Sequence, residues 1–408
     1  MKDLLPPAAQ ARSLLAPLVH GELDDERALR LYASHTWSWL AEPGDGVAGR
    51  LVATLGAEAA LAELVRGGRD GIARDAASLT AKQWNDARER WLPRVGATEV
   101  RLALEIARRA GLALITAEDS GWPASLSDLG DHAPLVLWVR GDIGALTRCP
   151  RSVAIVGARA ATSYGEHVAM ELSADLVGRG VSIVSGAAYG IDGAAHRAAL
   201  TAGGTTIALL AGGAERAYPT GHERLIERIA GSGAVVSESP CGTRPTRWRF
   251  LQRNRLIAAL SDATVVVEAG WRSGSLNTAG HAAALARPLG AVPGPITSAA
   301  SAGCHRLLRE YDARCVTSAD DVIELLGATQ TLFDMPRSPV GEDRTDDTTR
   351  VRDAMSFRSW RQPTDIARRS GLAPADVAAI LGLLALDGEV VRGEEGWRRA
   401  RSGVPVAR

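Results

Sequence analysis

The stretch from 151 to 327 predicts a doubly wound α/β fold with a mainly parallel sheet. Three observations carry the prediction. Five short apolar runs, SVAIVG, VSIVSG, TTIALLA, AVVSE and ATVVVEA, are each bounded by glycine or polar residues. Helical stretches such as GEHVAMELSADLVGRG and WRFLQRNRLIAAL lie between them. The runs are continuously apolar and do not alternate, which marks strands covered on both faces. Parallel strands joined by helical crossovers satisfy all three.

The flanks read differently. Residues 1–111 predict a helical domain. In GELDDERALRLYASHTWSWLA, the residues Leu29, Tyr32, Ala33, Trp37 and Leu40 recur at helical spacing. PGDG at 43–46 breaks that helix, and GRLVATLGAEAALAELV begins another. AKQWNDARERW and EVRLALEIARRAG complete the domain. A loop (GWPASLSDLG) and a strand (PLVLWVRGD) then lead into the α/β domain, set at 112–327. Residues 328–347 are polar, carry Pro336 and Pro339, and predict a linker. Residues 348–402 predict three helices and a hairpin turning at GEEG, a winged-helix module whose second helix starts at Pro363–Thr364 and stops at Gly371.

Composition excludes several classes of protein. The 408 residues hold 47 basic and 47 acidic side chains, so a polybasic coat for DNA is excluded, though a local basic patch is not. Lys2 and Lys82 are the only lysines, so positive charge is nearly all arginine. Cys149, Cys241, Cys304 and Cys315 form no C-x-x-C pair, which argues against a zinc site or a disulfide scaffold and fits a reducing cytoplasm. Pro6 and Pro7 stand where a secretory signal needs an apolar core. No apolar run reaches the ~18 residues that span a bilayer.

Several strand ends carry candidate binding residues. VAIVGARAATSYGEHVA (153–169) places Gly157 and Arg159 in a turn before a helix, where backbone N–H groups and a forked guanidinium suit a phosphate. The G-x-G-x-x-G dinucleotide pattern is missing, and the second strand ends in Ser185–Gly186 with no acid to hold a ribose. IVSGAAYGIDGAAH adds Tyr189. Its Asp192 and His196 lack a third metal ligand and read as an N-cap and its neighbour. VVVEAGWRSGSLNTAGHA places Ser273, Gly274 and Ser275 in a third small-residue turn. The most concentrated positive charge is TRPTRWRFLQRNRLIAAL, with Arg244, Arg247, Arg249, Arg253 and Arg255 interleaved with Trp248 and Phe250. Arginine for phosphates and aromatics for bases is the physics of single-strand binding. No P-loop, metal cluster or nucleophile–base set is visible, so no catalytic residue, cofactor or metal is expected.

Together these residues resemble the DprA/Smf family, the DNA-processing proteins of bacterial transformation. The resemblance covers about 122–327. It rests on VGAR with Thr162 and Tyr164-Gly165, SGAAYGID, GGTTIALLAGG with Tyr218-Pro219, SESPCGT, RFLQRNRLIAAL, VVVEAGWRSGSL and VPGPI. It implies an extended Rossmann domain that binds single-stranded DNA, dimerises, and helps load the RecA recombinase during transformation and recombination. It also implies an N-terminal domain of SAM or helix-hairpin-helix type. The family's Gly-x-Arg turn maps onto Gly157 and Arg159, its Arg-Asn-Arg helix onto Arg253, Asn254 and Arg255, and its Ser-Gly-Ser turn onto Ser273, Gly274 and Ser275. The expected DNA contacts are these with Ser185, Gly186, Tyr189, Arg247, Arg249 and Phe250. Many relatives carry a basic residue at Tyr189, where this chain offers an aromatic to stack.

The rival expectation is a nucleotide hydrolase of the lysine-decarboxylase-like group. That group carries PGGxGTxxE with a catalytic glutamate, whereas EAGWRSGSLNTAGHA lacks the double glycine and has His281 near the acid's place. The winged helix has about as many acids as arginines, so neither duplex DNA nor a protein partner is favoured for it.

Overall fold

The computed structural model describes residues 4–66, 72–148, 151–332 and 347–400. Contacts divide the chain into two compact units, one on each side of residue 334.

The first unit opens with seven helices: α1 (Ala8–Leu15), α2 (Asp25–Leu40), α3 (Gly46–Leu55), α4 (Ala57–Arg66), α5 (Ile72–Ala76), α6 (Ala81–Trp91) and α7 (Ala97–Arg109). Their starts are written locally. The Asp24 carboxylate accepts from the Arg27 N–H at 2.7 Å, and Thr80 and Gln83 form a reciprocal capping box. The single helix expected from GRLVATLGAEAALAELV is two helices, because Gly56 turns the chain with a φ of +81°. Trp37, Trp84 and Trp91 meet edge to face in the core of this layer.

The sheet strands are β1 (Ala113–Ile115), β2 (Leu137–Gly141), β3 (Ser152–Val156), β4 (Ser182–Ser185), β5 (Thr206–Leu209), β6 (Ala234–Ser237), β7 (Ala263–Val266), β8 (Leu289–Ala291) and β9 (Arg314–Cys315). They lie in the order β1-β2-β6-β5-β4-β3-β7-β8-β9. All neighbours from β6 to β9 are parallel, while β1–β2 and β2–β6 are antiparallel. The five apolar runs are β3 to β7. One helix follows each strand from β3 to β9: α8 (Ser163–Gly178), α9 (Ile191–Thr201), α10 (Glu223–Ser232), α11 (Arg247–Ala259), α12 (Ser275–Ala284), α13 (Ala302–Glu310) and α14 (Ala319–Leu332). Side chains of β3 alternate between two cores. Val153 and Ile155 pack with α8, α9 and α14, and Ala154 and Val156 pack with α11, α12 and α13.

The N-terminal helices share a core with the sheet. Leu15, Leu31, Tyr32 and Leu104 pack with Leu114 of β1 and Trp138 of β2. Burying each such leucine contributes roughly 1.5–3 kcal/mol. The first residues of the expected linker extend α14 to Leu332, and 333–346 lie outside the described residues.

The second unit holds α15 (Asp347–Asp353), α16 (Pro363–Ser370), α17 (Pro374–Leu386), β10 (Val390–Gly393) and β11 (Gly396–Arg399). Val351, Ile366, Val377, Leu381, Leu384 and Val390 form its own core. Three helices and a hairpin make the expected winged helix, with α16 stopping before Gly371 as predicted.

Candidate nucleic-acid interface

The sheet order creates the site. From β3 the chain crosses to β4 on one side, and from β6 it returns through α11 to β7 on the other. The loops after β3 and β7 therefore diverge and leave a crevice at their carboxyl ends, where open α/β sheets bind ligands. A cavity of about 960 Å³ occupies that place. Its walls are the 157–160 loop, the 270–275 loop and the N-terminal half of α11.

Each wall is fixed by internal bonds. Glu268 is buried and accepts from the Thr162 N–H (2.9 Å) and hydroxyl (2.6 Å), which ties the β3 loop to the end of β7. The Thr246 hydroxyl accepts from the Arg249 N–H and starts α11. The Asn254 amide donates to the Gly274 carbonyl and to Asn277 Oδ1, both at 3.2 Å, and so holds the Ser-Gly-Ser turn. Ser273 and Ser275 hydroxyls lie 2.7 Å apart.

Arg159 is exposed and stacks its guanidinium 4.6 Å over the Phe250 ring. Tyr218 meets the same ring at 5.5 Å, so cation and aromatics form one layered wall. Arg247, at the start of α11, is exposed on the cavity. Arg272, which was not singled out from the sequence, is exposed there too. Its signal was its place directly before the Ser-Gly-Ser turn. The cavity's inner wall is the buried pair Asp192 and Arg253. Burial pushes the Asp192 carboxyl up and lowers Arg253 to about 10, which leaves the arginine charged at neutral pH.

The structure places several of the expected residues away from the open cavity surface or in internal bonds. Arg249 is held by both oxygens of Glu42, each at 2.9 Å, and its third donor reaches the Arg244 carbonyl. Arg255 is 2% exposed and donates to Glu238 Oε1 (2.7 Å) and to the His132 and Gln252 carbonyls. Both arginines are spent on the fold because the α2–α3 loop, the 124–132 segment and the loop after β6 meet α11 on that side. Ser185 is buried, with its hydroxyl donating to the Ile155 carbonyl at 2.6 Å. The Gly186 N–H donates to Asp192, as does that of Ala188. Asp192 is therefore no N-cap, and that position belongs to Gly190. Tyr189 is half exposed but stands edge-on to His222 at 4.8 Å, off the cavity wall. Asn254 lines the cavity and also positions the turn. Arg253 reaches the cavity only as its buried floor. Gly157, Ser273, Gly274 and Ser275 stand on the walls as expected.

The strand order, the crossovers and the arginine-bearing crevice define a Rossmann-type protein with a winged helix appended. The model of the DNA recombination-mediator protein A family matches residues 113–327, and that of the DprA winged helix domain matches 335–396. The chain belongs to this DprA/Smf family of DNA-processing proteins. A DprA relative in Mycobacterium tuberculosis (strain H37Rv) is 48% identical over 316 residues, 74% of this chain and 81% of that protein. The DNA processing protein DprA of Bacillus subtilis is 36% identical over 219 residues, 54% of this chain and 73% of the relative. The X-ray structure of DNA processing protein A from Streptococcus pneumoniae superposes with a TM-score of 0.57 at 29% identity, covering 74% of this chain and 98% of that one. Among the described residues no single helix is long and apolar enough to cross a membrane.

Proposed function

We propose that the chain binds single-stranded DNA without sequence preference in the β3/β7 crevice and loads RecA recombinase onto it, acting stoichiometrically and not by turnover. The observation that carries this reading is the trio Arg159, Arg247 and Arg272. All three are exposed on one cavity, and none joins an ion pair or hydrogen bond among the described residues. Three guanidinium groups on one cavity, with no carboxylate in hydrogen-bond reach among the described residues, favour a ligand with several phosphates. Phe250 and Tyr218 on the same wall offer ring faces, which any unpaired base can use. Duplex DNA hides its base faces in the stack and gains nothing from them. Near the place where the hydrolase group carries its catalytic glutamate, α12 has His281, which supports binding over nucleotide hydrolysis.

The RecA partnership and the homodimer through the Rossmann domain rest on family membership. A dimer supplies two crevices, and linked sites raise avidity for a long strand without any new contact. The test is fluorescence anisotropy with single- and double-stranded oligonucleotides across salt, run beside nucleotide hydrolysis and RecA filament formation on coated strands. The single strand is expected to bind more tightly, with filament formation rising in proportion to added protein. Equal or tighter duplex binding, nucleotide hydrolysis by the protein alone, or full mediation far below one dimer per filament overturns the reading.

A further inference from the structure

We propose that the winged-helix module is a second contact for single-stranded DNA, made by its wing and the flanking 356–361 segment and not by its third helix. In a helix-turn-helix reader the corresponding helix enters the major groove and needs donors on its open face. Here α17 has none. Its exposed positions include Ala375, Asp376, Ala378, Ala379, Leu383 and Leu386, with no arginine or lysine, and Asp376 in the first turn repels phosphate.

The opposite composition gathers at the wing. The 356–361 segment runs beside β11: the Arg361 N–H donates to the Trp397 carbonyl (2.9 Å), the Trp397 N–H to the Arg361 carbonyl (2.8 Å), and the Arg399 N–H to the Ser356 carbonyl (2.9 Å). That pairing sets arginines against rings. Arg398 lies 4.3 Å over Trp360, Arg399 lies 4.3 Å over Phe357, and Arg392 lies 5.8 Å over Trp397. Three of the module's acids are committed elsewhere: Asp365 to Arg368 and Arg369, Asp347 to Arg350, and Glu389 to Arg352. Glu394 and Glu395 are exposed at the tip of the hairpin, so the phosphate contact falls on the strands and the 356–361 segment and not on the turn. Arg358, Arg392 and Arg398 join no ion pair among the described residues. The module is near neutral in total, yet its arginines without an ion-pair partner among the described residues gather on the hairpin strands and the 356–361 segment. A guanidinium held flat on a ring has its donors turned outward for phosphate and its second face free for a base. Stacking needs unpaired bases, which selects a single strand over a duplex.

The experiment uses the full chain and a long oligo(dT) carrying photoreactive 5-iodouracil. Crosslinked peptides are expected from 356–361 and 390–399 as well as from the crevice. The pair R392E/R398E, at exposed Arg392 and partly buried Arg398, should lose the wing crosslinks, weaken binding of long strands several-fold, and flatten the log–log salt slope by about 1.4, or ~0.7 for each lost contact on a single strand. L383S/L386S on α17 should change neither. Should R392E/R398E lower the melting temperature, R392Q/R398Q and the crosslinks of the unaltered chain decide instead. The crevice variant R159A/R272A keeps the wing crosslinks if the wing acts independently, so failure here and failure of the crevice reading are told apart. Crosslinks confined to the crevice, an unchanged salt slope in the wing variants, or wing-dependent binding of duplex as tight as of single strand overturns the proposal.

Discussion

The Arg159 guanidinium lies 4.6 Å over the ring of Phe250, joining a residue of the β3 loop to one on α11. Phosphate grip and base platform are thus one object. Arg159→Ala should weaken binding of every sequence alike and flatten the log–log salt slope by roughly 0.7 on a single strand. Phe250→Leu should cost about 1–3 kcal/mol of binding while leaving the salt slope nearly unchanged. Anisotropy titrations at several salt concentrations separate the two effects.

Arg255→Ala should act on stability first. The side chain is buried against Glu238, and removing one partner of a buried pair typically costs about 3–5 kcal/mol because the other charge is left uncompensated. A large fall in denaturant midpoint is expected. Any fraction still folded should bind oligonucleotides with the parent's salt slope, and a flattened slope in a fully stable variant would refute this.

Gly190→Ala should disturb the crevice without touching its arginines. Gly190 has a φ of +72°, and a Cβ there would stand 2.3 Å from the Ala158 carbonyl oxygen and 2.6 Å from that of Arg159. The backbone term alone is worth about 1–3 kcal/mol. Lower stability together with weaker binding is the expected pair of outcomes, read by thermal melting and anisotropy.

Two buried histidines set an acid limit on stability. Burial lowers His196 from 6.5 to about 3, and His35 from 6.5 to about 4. The folded forms stay neutral where the unfolded chain takes up protons. Their contribution is complete above pH 6.5 and is lost progressively as pH falls toward the folded values. Thr206 spends its hydroxyl hydrogen on the Ile183 carbonyl, so His196 Nδ1 is the donor to Thr206 Oγ1, a role an asparagine amide can take. His196→Asn should reduce the slope of stability against pH by about 1.4 kcal/mol per pH unit between about pH 4.5 and 6. Chemical denaturation at a series of pH values measures it, and an unchanged slope refutes it.

Truncation after residue 334 should leave the first unit folded. The second unit has its own core in Val351, Ile366, Leu381 and Leu384. Short oligonucleotides should bind the truncated chain as they bind the whole. Insolubility of the fragment, or loss of most short-strand affinity, counts against this.

The strands β3 to β7, the turns after β3, β4 and β7, and the winged-helix order were legible because each depends on residues near one another in sequence. A buried strand needs a local apolar run, and a helix start needs a nearby cap. The strand β8 was not singled out, since three residues, Leu289–Ala291, carry no period. The break at Gly56 was hidden because apolar spacing continues across it.

The free arginines were not legible. Arg247, Arg249, Arg253 and Arg255 look equivalent in RWRFLQRNR. Glu42, 207 residues from Arg249, takes that arginine, and Glu238 takes Arg255. Arg253 sinks beside Asp192, and Arg247 alone of the four stays open on the cavity. Arg272 joins it from a different loop. By itself the sequence determined a parallel sheet with phosphate-suited turns and an arginine-rich helix. The tertiary structure decided which guanidinium groups remain available, because a charge is neutralised by whatever carboxylate the fold brings within about 4 Å, and that distance is set by packing between elements far apart in the chain.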